Sequence, residues 1–169
     1  MAKHLYRADV RWRCSGGFAQ NTYSRGHDWS FDGGITVPAS ASPTVVPLPA
    51  SVEAAVDPEE AFVAAISSCH MLWFLDLARR AGLEVESYTD RAEGTMARIA
   101  PGKMAVTHVA LRPEIVFAGD ALPGSEALED LHRKAHEACF IANSVTSEIV
   151  VEPLPARLAS DGQADPQGA

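Results

Sequence analysis

Two cysteines are the residues of this chain best suited to chemistry. Cys69 lies deep inside a long apolar stretch, and Cys139 lies near the end of a second helical stretch, each on the inward side of its segment. Because the sequence shows no sign of export, its thiols are expected to stay reduced, which favours redox chemistry over a structural disulfide. The competing interpretation is that both are small core residues, since unpaired cysteine is among the residue types most often buried.

A metal site is the second chemistry that these residues allow. His132, His136 and Cys139 share one helix face at positions i, i+4 and i+7, and Cys69 could supply a fourth zinc ligand. The sequence contains no CxxC or HExxH pattern, so a solvated histidine face is the simpler interpretation and no metal is predicted. Cys14 is a loop thiol without a nearby base and is expected to have no catalytic role.

The element that must position Cys69 is a helix predicted over residues 58–81. Asp57 is a good N-cap, Pro58 suits the first helical position, and Gly82 provides the stop. The apolar side chains of this segment point in nearly every direction. A helix of that kind is buried on all sides, so something must cover each of its faces.

The remaining elements complete an α+β domain. A second helix is predicted from Ser125 to about Asn143, and Gly26-His27 reads as the turn of a hairpin. Strands are predicted at 4–13, 21–25, 28–32, 84–99, 103–118 and 146–152, with a loop at 38–56. We expect one domain over residues 1–155 and a disordered tail over 156–169, because the tail is rich in polar residues, glycine and proline.

Charge and hydropathy exclude several classes of partner. The 169 residues include 22 acidic and 14 basic ones, for a net charge of −8. This balance argues against nucleic acid and against an anionic membrane surface, which both need a basic footprint. The first twenty residues lack the apolar core of a signal peptide, and Asp76 interrupts the longest apolar run, which we expect to be too short to span a bilayer. The predicted location is the cytoplasm.

The segments DPEEAFVAAISSCHMLWFL and HEACFIANSV resemble the OsmC/Ohr family, which contains the osmotically inducible protein C and the organic hydroperoxide resistance proteins. In that family a PEE or PEQ triplet opens a long helix ten residues before the peroxidatic cysteine. The resemblance therefore implies that Glu59 is the catalytic glutamate, Cys69 the reactive thiol and Cys139 the resolving thiol. It covers roughly residues 4–153 and fits an OsmC-like branch of the family.

The resemblance also implies an activity and an assembly. The activity is thiol-dependent reduction of organic hydroperoxides through a Cys69 sulfenic acid, which Cys139 converts to a disulfide. A dithiol reductant, either a lipoyl protein or a thioredoxin-like protein, would restore the thiols, and no cofactor is needed. The implied fold has two long central helices packed against antiparallel sheets in an intertwined homodimer.

Helix geometry supports a dimer independently of the resemblance. In a straight helix Glu59 and Cys69 are about 15 Å apart along the axis and about 80° apart around it. The glutamate should therefore not reach the thiol of its own chain, whereas two helices crossing about a two-fold axis could bring one chain's glutamate to the other chain's cysteine. We predict a composite site at a dimer interface.

Two departures from the family pattern bear on the activity. Phe140 follows the second cysteine, where many relatives have proline. The loop before the first helix contains no arginine, so Arg25 is the best candidate for the arginine that the family places beside the reactive thiol. The large apolar residues Phe62, Trp73 and Phe74 are candidates for binding the alkyl part of a substrate. The alternative hypothesis is a non-catalytic OsmC-like protein that binds a small apolar ligand in the dimer-interface pocket.

Overall fold

The computed structural model describes residues 3–159. The chain divides into two compact units, Met1–Phe62 and Val63–Ala169, and the boundary falls within the first turns of a long helix. The strands of both units, together with the two α-helices of the chain, confirm the α+β class. The predicted single domain over residues 1–155 stays a prediction.

The first unit is built on an antiparallel sheet of three strands. These are β1 (Ala8–Arg11), β2 (His27–Phe31) and β3 (Thr36–Ala39), in the order β1-β2-β3. The predicted hairpin about Gly26-His27 is wrong, because residues 21–25 form no strand and β2 pairs with β3 instead. The turn that joins them uses Gly34 at φ 84°, a left-handed conformation that glycine adopts without a steric cost.

Helix α1 (Pro58–Arg80) has the start and the stop that the sequence predicts. The Glu60 N–H donates to Oδ1 of Asp57 at 2.8 Å, and the Asp57 N–H donates to Oε2 of Glu60 at 3.1 Å, which is a reciprocal capping box. After the last turn Gly82 adopts φ 76°.

Helix α1 is less buried than the sequence predicts, which is a helix covered on all sides. Within this chain only one stripe of the helix is buried, formed by Ile66, His70, Phe74 and Ala78. A second face stays exposed, and its Leu72 has 61% of its surface accessible. Residues 3–159 of one chain therefore do not supply the cover that the apolar composition of α1 requires.

By length and composition alone, α1 is also long and apolar enough to cross a membrane. The expectation that this stretch is too short is therefore wrong, because one charged residue such as Asp76 does not disqualify an apolar helix of 23 residues. The same length and composition suit a helix at the centre of a globular fold. The buried stripe of α1 belongs to such a core, described below.

The second unit contains two sheets of three strands in the orders β4-β7-β9 and β5-β6-β8. The strands are β4 (Val85–Asp90), β5 (Glu93–Ala100), β6 (Lys103–Leu111), β7 (Pro113–Phe117), β8 (Glu148–Val151) and β9 (Arg157–Leu158). Both sheets are mixed, since β8 runs parallel to β6 and β9 runs parallel to β7. The turn expected between the predicted strands 84–99 and 103–118 is confirmed. It joins β5 to β6, and its Gly102 adopts φ 73°.

Two predicted strands, 84–99 and 103–118, are each divided into two. The divisions lie next to Asp90 and at Arg112, where the Arg112 N–H donates to Oδ1 of Asp90 at 2.7 Å. Arg112 also forms ion pairs with Glu93 and Glu152. These contacts fix the backbone at the two points where the chain leaves one sheet and enters the other.

The C-terminal boundary is also corrected. Strand β9 lies within the predicted disordered tail of residues 156–169, and it pairs with β7. Its Arg157 donates to Glu114 at 3.2 Å, so a polar composition did not prevent the segment from pairing. Residues 160–169 of the predicted tail lie outside the described residues.

Helix α2 (Ser125–Ala138) ends earlier than predicted. Cys139 is extended at φ −65° and ψ 112°, and Ala142–Ser144 form a single 3-10 turn rather than further α-helix. The core of the second unit lies between α1, α2 and strand β7. Its buried members are Phe74, Ala78, Ile115, Phe117, Leu131 and Ala135.

Candidate active site

The two cysteines singled out in the sequence meet in the second unit. Cys69 lies on α1, Cys139 directly follows α2, and Cys69 lies close enough to Cys139 to contribute to the raised pKa of its thiol. Cys69 is partly exposed, whereas Cys139 has no accessible surface. The pair therefore combines one thiol that a small molecule can approach with one that is shielded.

The surroundings of Cys139 favour its neutral form. Burial raises the pKa of the Cys139 thiol to about 11, and the neighbouring Cys69 side chain acts in the same direction. The Ala142 N–H donates to Sγ of Cys139 at 3.3 Å and opposes this shift without cancelling it. Cys139 is therefore a protonated thiol at neutral pH and is not suited to be the attacking nucleophile.

The early end of α2 holds Cys139 in place. The Cys139 N–H donates to the carbonyl oxygen of His136 at 3.2 Å, and its own carbonyl oxygen accepts from the N–H of Asn143 at 3.0 Å. The side-chain amide of Asn143 also donates to the carbonyl oxygen of Glu137, at 2.9 Å. These bonds fix the segment that carries the second thiol.

A buried histidine pair lies on the same two helices. Nε2 of His70 and Nδ1 of His132 are 3.1 Å apart, and the planes of the two rings are parallel to within 4°. Burial lowers the pKa of His70 to about 3, with neighbouring His132 and His136 adding to the effect, and burial lowers the pKa of His132 to about 4. Both imidazoles are therefore neutral at physiological pH.

Sequence reasoning missed His70 as a partner of His132. The signal was present, because His70 falls four residues from Ile66 and from Phe74 on the buried stripe of α1. The zinc hypothesis with Cys69, Cys139 and His136 finds no support. Among residues 3–159 no group of three or more histidine, cysteine or acidic side chains could hold a metal ion.

The three predicted apolar contact residues have different surroundings. Phe74 is fully buried in the core and stacks on His132, with ring centroids 4.5 Å apart. It therefore offers no surface to a ligand in this chain. Trp73 is partly buried and makes an edge-on contact with Phe140 at 5.5 Å. Phe62 is also partly buried, at the end of the first unit.

Phe140 is an aromatic residue beside the thiols that sequence reasoning did not select for binding. It follows Cys139 directly, it contacts Trp73, and 66% of its surface is exposed. The only signal in the sequence was its place after the second cysteine. Trp73 and Phe140 give the thiol pair an apolar border that is open to solvent.

Glu59 and Arg25 both lie in the first unit. Glu59 is partly buried in the first turn of α1. The guanidinium of Arg25 stacks on the Tyr23 ring at 3.8 Å, donates to the Tyr23 carbonyl oxygen at 2.6 Å and donates to the side chain of Asn21. Within residues 3–159 Arg25 forms no ion pair with a carboxylate, so its charge stays available to an anion.

The first unit also contains an apolar cleft of about 420 Å³. Trp12, Phe18 and Tyr23 form its aromatic side, with Trp12 and Tyr23 edge-on at 5.4 Å and Phe18 stacked on Tyr23 at 4.8 Å. Arg25 and His27 provide its polar side. Cys14 is exposed nearby in sequence, and its lack of a catalytic role stays a prediction.

Residues 51–153 match the sequence model of a protein family described as OsmC-like protein. The chain belongs to the OsmC-like family. The matched range contains Glu59 and both cysteines of the thiol pair, whereas Arg25 lies before it. Proteins of the OsmC/Ohr family are generally dimeric and typically soluble.

Solved structures and a curated relative agree with this assignment. An OsmC-like protein of unknown function from Vibrio cholerae is 54% identical, with a TM-score of 0.87 over 90% of this chain and 100% of that one. An organic hydroperoxide resistance protein from Elizabethkingia anophelis shares the fold at 19% identity, with a TM-score of 0.59 over 93% of this chain and 98% of that one. The uncharacterised protein YmaD of Bacillus subtilis is 25% identical over 57% of this chain, and the match spans 64% of that protein's length.

Proposed function

We propose that this OsmC-like protein is a cysteine-based peroxidase that reduces organic hydroperoxides. The observation that carries the proposal is the pair of neighbouring thiols, in which Cys69 is accessible and Cys139 is buried and protonated. An accessible thiol can meet a peroxide, and a second thiol in contact with it can resolve the oxidised product.

The reaction divides into three balanced steps. The Cys69 thiolate attacks one oxygen of the hydroperoxide, so that an S–O bond forms, the O–O bond breaks and the departing alkoxide takes a proton to become an alcohol. Cys139 then displaces the hydroxyl of the Cys69 sulfenic acid, forming the disulfide and releasing water. A dithiol reductant, a lipoyl or thioredoxin-like protein, finally exchanges with the disulfide and restores both thiols.

The unequal environments of the thiols support their unequal roles. A thiol that attacks peroxide must be ionised and reachable, and full burial with a raised pKa removes Cys139 from that role. The same burial suits a resolving thiol, because it is protected from the peroxide itself. Its nearness to Cys69, which contributes to the raised pKa of Cys139, places it where it could form the disulfide.

We assign Arg25 the role of the family arginine that holds the thiolate and orients the peroxide, and Glu59 the role of the family's catalytic glutamate. Arg25 would have to release Asn21 and the Tyr23 carbonyl oxygen in order to bind the developing negative charge. The proposed assembly is a homodimer in which these groups come from one chain and the thiol pair from its partner. The exposed apolar face of α1 supports it, since Leu72 needs cover that this chain does not provide.

The apolar border of the thiol pair supports an organic rather than an inorganic peroxide. Trp73 and the exposed Phe140 can contact an alkyl or aryl group while the peroxide oxygens approach Cys69. We also propose that Phe62 contacts the apolar part of the substrate.

Peroxide treatment followed by disulfide mapping tests the proposal. The reduced protein is mixed with tert-butyl hydroperoxide and examined by non-reducing mass spectrometry, with Cys69→Ser and Cys139→Ser as matched controls. A rapid Cys69–Cys139 disulfide in the parent protein, absent in both variants, is the expected result. Thiols that stay reduced in excess peroxide would contradict it.

The cleft of the first unit favours a second candidate, a non-catalytic protein that binds a small apolar ligand. Three aromatic rings line the cleft, and Arg25 is held on Tyr23 instead of being free. This candidate predicts binding of an apolar probe that Trp12→Ala weakens and that does not depend on Cys69. Equal binding by the parent protein and Trp12→Ala would exclude the cleft as the site.

A further inference from the structure

The buried histidine pair joins the same two helices as the thiol pair. His70 follows Cys69 directly on α1, and His132 lies on α2 ahead of Cys139. The bond between Nε2 of His70 and Nδ1 of His132 is the only side-chain hydrogen bond between α1 and α2 in the described part of the chain. This one directional polar contact therefore fixes one helix against the other close to the two thiols.

Stability alone does not account for the histidine pair. The rings are 1% and 4% exposed, and their lowered pKa values reflect the cost of removing imidazoles from water. Nδ1 of His70 and Nε2 of His132 also have no hydrogen-bond partner in the described structure. Apolar side chains of similar size would fill this core at a lower cost. A directional bond, by contrast, selects one register between surfaces that apolar contacts would allow to slide.

A second contact from α1 holds the ring of His132 in place. The Phe74 ring stacks on the His132 ring at a centroid distance of 4.5 Å and an angle of 27°. Phe74 lies one helical turn after His70 on the buried stripe of α1. Helix α1 therefore contacts His132 both through a hydrogen bond at the ring edge and through an aromatic ring at its face.

We propose that His70 and His132 are positioning residues that set the register of α1 on α2 and thereby hold Sγ of Cys69 against Sγ of Cys139. The inference deepens the proposed function, because it names the device that makes the resolving step fast. In that step the S–S bond forms as the S–O bond breaks, and the proton of the Cys139 thiol leaves with the hydroxyl as water. The displacement needs an aligned approach of sulfur on sulfur, and misplacement by about 1 Å can cost about 100-fold in rate.

Diamide oxidation tests this inference without relying on peroxidase chemistry. Diamide accepts two electrons and two protons and becomes a hydrazine, while two adjacent thiols become a disulfide. The rate of the Cys69–Cys139 disulfide would be followed by quenched-flow alkylation and mass spectrometry. The variants are His132→Leu, His132→Asn, which keeps a hydrogen-bonding group near the Nδ1 position, and His132→Gln, which places that group elsewhere.

A positioning role predicts a specific order of rates. Disulfide formation should be about 10- to 100-fold slower in His132→Leu and His132→Gln, and His132→Asn should recover most of the parent rate. His136→Leu, on the same helix but without a hydrogen bond to α1, is the matched control and should react like the parent protein. If His132→Leu does not fold, the comparison of Asn with Gln, two amides that differ in reach, still decides the question.

Equal rates for the Asn and Gln variants, or a parent-like rate for His132→Leu, would overturn the inference. A parallel experiment with tert-butyl hydroperoxide separates it from the proposed function. Thiols that react with diamide in the predicted order but stay reduced in peroxide would remove the peroxidase and leave the positioning role standing. If peroxide forms the disulfide at a rate that the His132 substitutions do not change, the peroxidase would stand and the positioning role would be removed.

Discussion

At the scale of single residues, the site depends on an asymmetry between two identical side chains. Cys69 keeps access to solvent, whereas Cys139 is fully buried. Burial raises the pKa of one thiol by favouring its neutral form, so the environment and not the chemistry of the residue assigns the roles.

Replacing Cys139 by serine should separate attack from resolution. Cys69 should still be oxidised by tert-butyl hydroperoxide, but its sulfenic acid should persist and then proceed to the sulfinic acid, because no second thiol is present. Dimedone labelling and intact-mass measurement over time would show this sequence. If Cys139→Ser were as resistant to over-oxidation as the parent protein, another thiol would have to be the resolving residue.

The histidine pair predicts a pH dependence of stability. The folded pKa values of about 3 for His70 and about 4 for His132 lie below the usual 6.5, so the unfolded chain binds more protons between these values. Stability should be complete above pH 6.5 and should fall as the pH decreases, by about 1 kcal/mol per pH unit for each histidine. Urea unfolding at pH 7, 6 and 5 measures the slope.

The variant His132→Asn provides the control for this slope. It removes one of the two titrating imidazoles, so it should lose stability less steeply with acid than the parent protein does. Identical slopes would show that these histidines are not the source of the acid sensitivity.

At the scale of elements, α1 supplies most residues of the proposed site, and its start and end were also the most predictable from the sequence. Its start follows from the capping box of Asp57 and Glu60, and its end from Gly82. Local signals of this kind depend on neighbouring residues only. Strand pairing does not, which is why the division of the strands at Asp90 and Arg112 was not predicted.

The capping box gives a prediction for α1. Asp57→Ala removes the acceptor of the Glu60 N–H and should lower the free energy of unfolding by about 1 kcal/mol. Glu60→Ala and the double variant complete a cycle, in which the two losses should be less than additive because each bond belongs to the same box. Chemical denaturation is the measurement, and strict additivity would contradict the reciprocal arrangement.

Sequence reasoning reached the thiol pair but not its setting. The resemblance identified Cys69 and Cys139, which both lie in the second unit, and their catalytic roles stay a prediction. The bond between His70 and His132 joins residues 62 positions apart, and no local pattern reports such a contact. Phe74 shows the converse difficulty, because an apolar residue beside a reactive cysteine reads equally well as core or as pocket until its burial is known.

At the scale of the whole molecule, the proposed composite site requires a second copy of the chain. Helix α1 buries one stripe and exposes another apolar face, and the family to which the chain belongs is generally dimeric. A homodimer would cover that face and would allow Glu59 and Arg25 of one chain to serve the thiols of its partner.

A charge on the exposed face of α1 should test this assembly. Leu72→Glu should convert a dimer to a monomer in analytical ultracentrifugation and should lower the rate of peroxide reduction by at least about tenfold, because burying an unpaired carboxylate is costly. Ile99→Glu, at an exposed position of β5, is the control and should change neither property. A monomeric Leu72→Glu protein with full activity would show that one chain contains the complete site.

The stoichiometry of a single turnover tests the central claim most directly. Reduced protein is mixed with one equivalent of tert-butyl hydroperoxide per chain in the absence of any reductant, and tert-butanol, free thiols and the Cys69–Cys139 disulfide are measured together. The account predicts one alcohol and one such disulfide per chain, with two thiols lost. Peroxide that stays unreduced while both thiols stay free would contradict it.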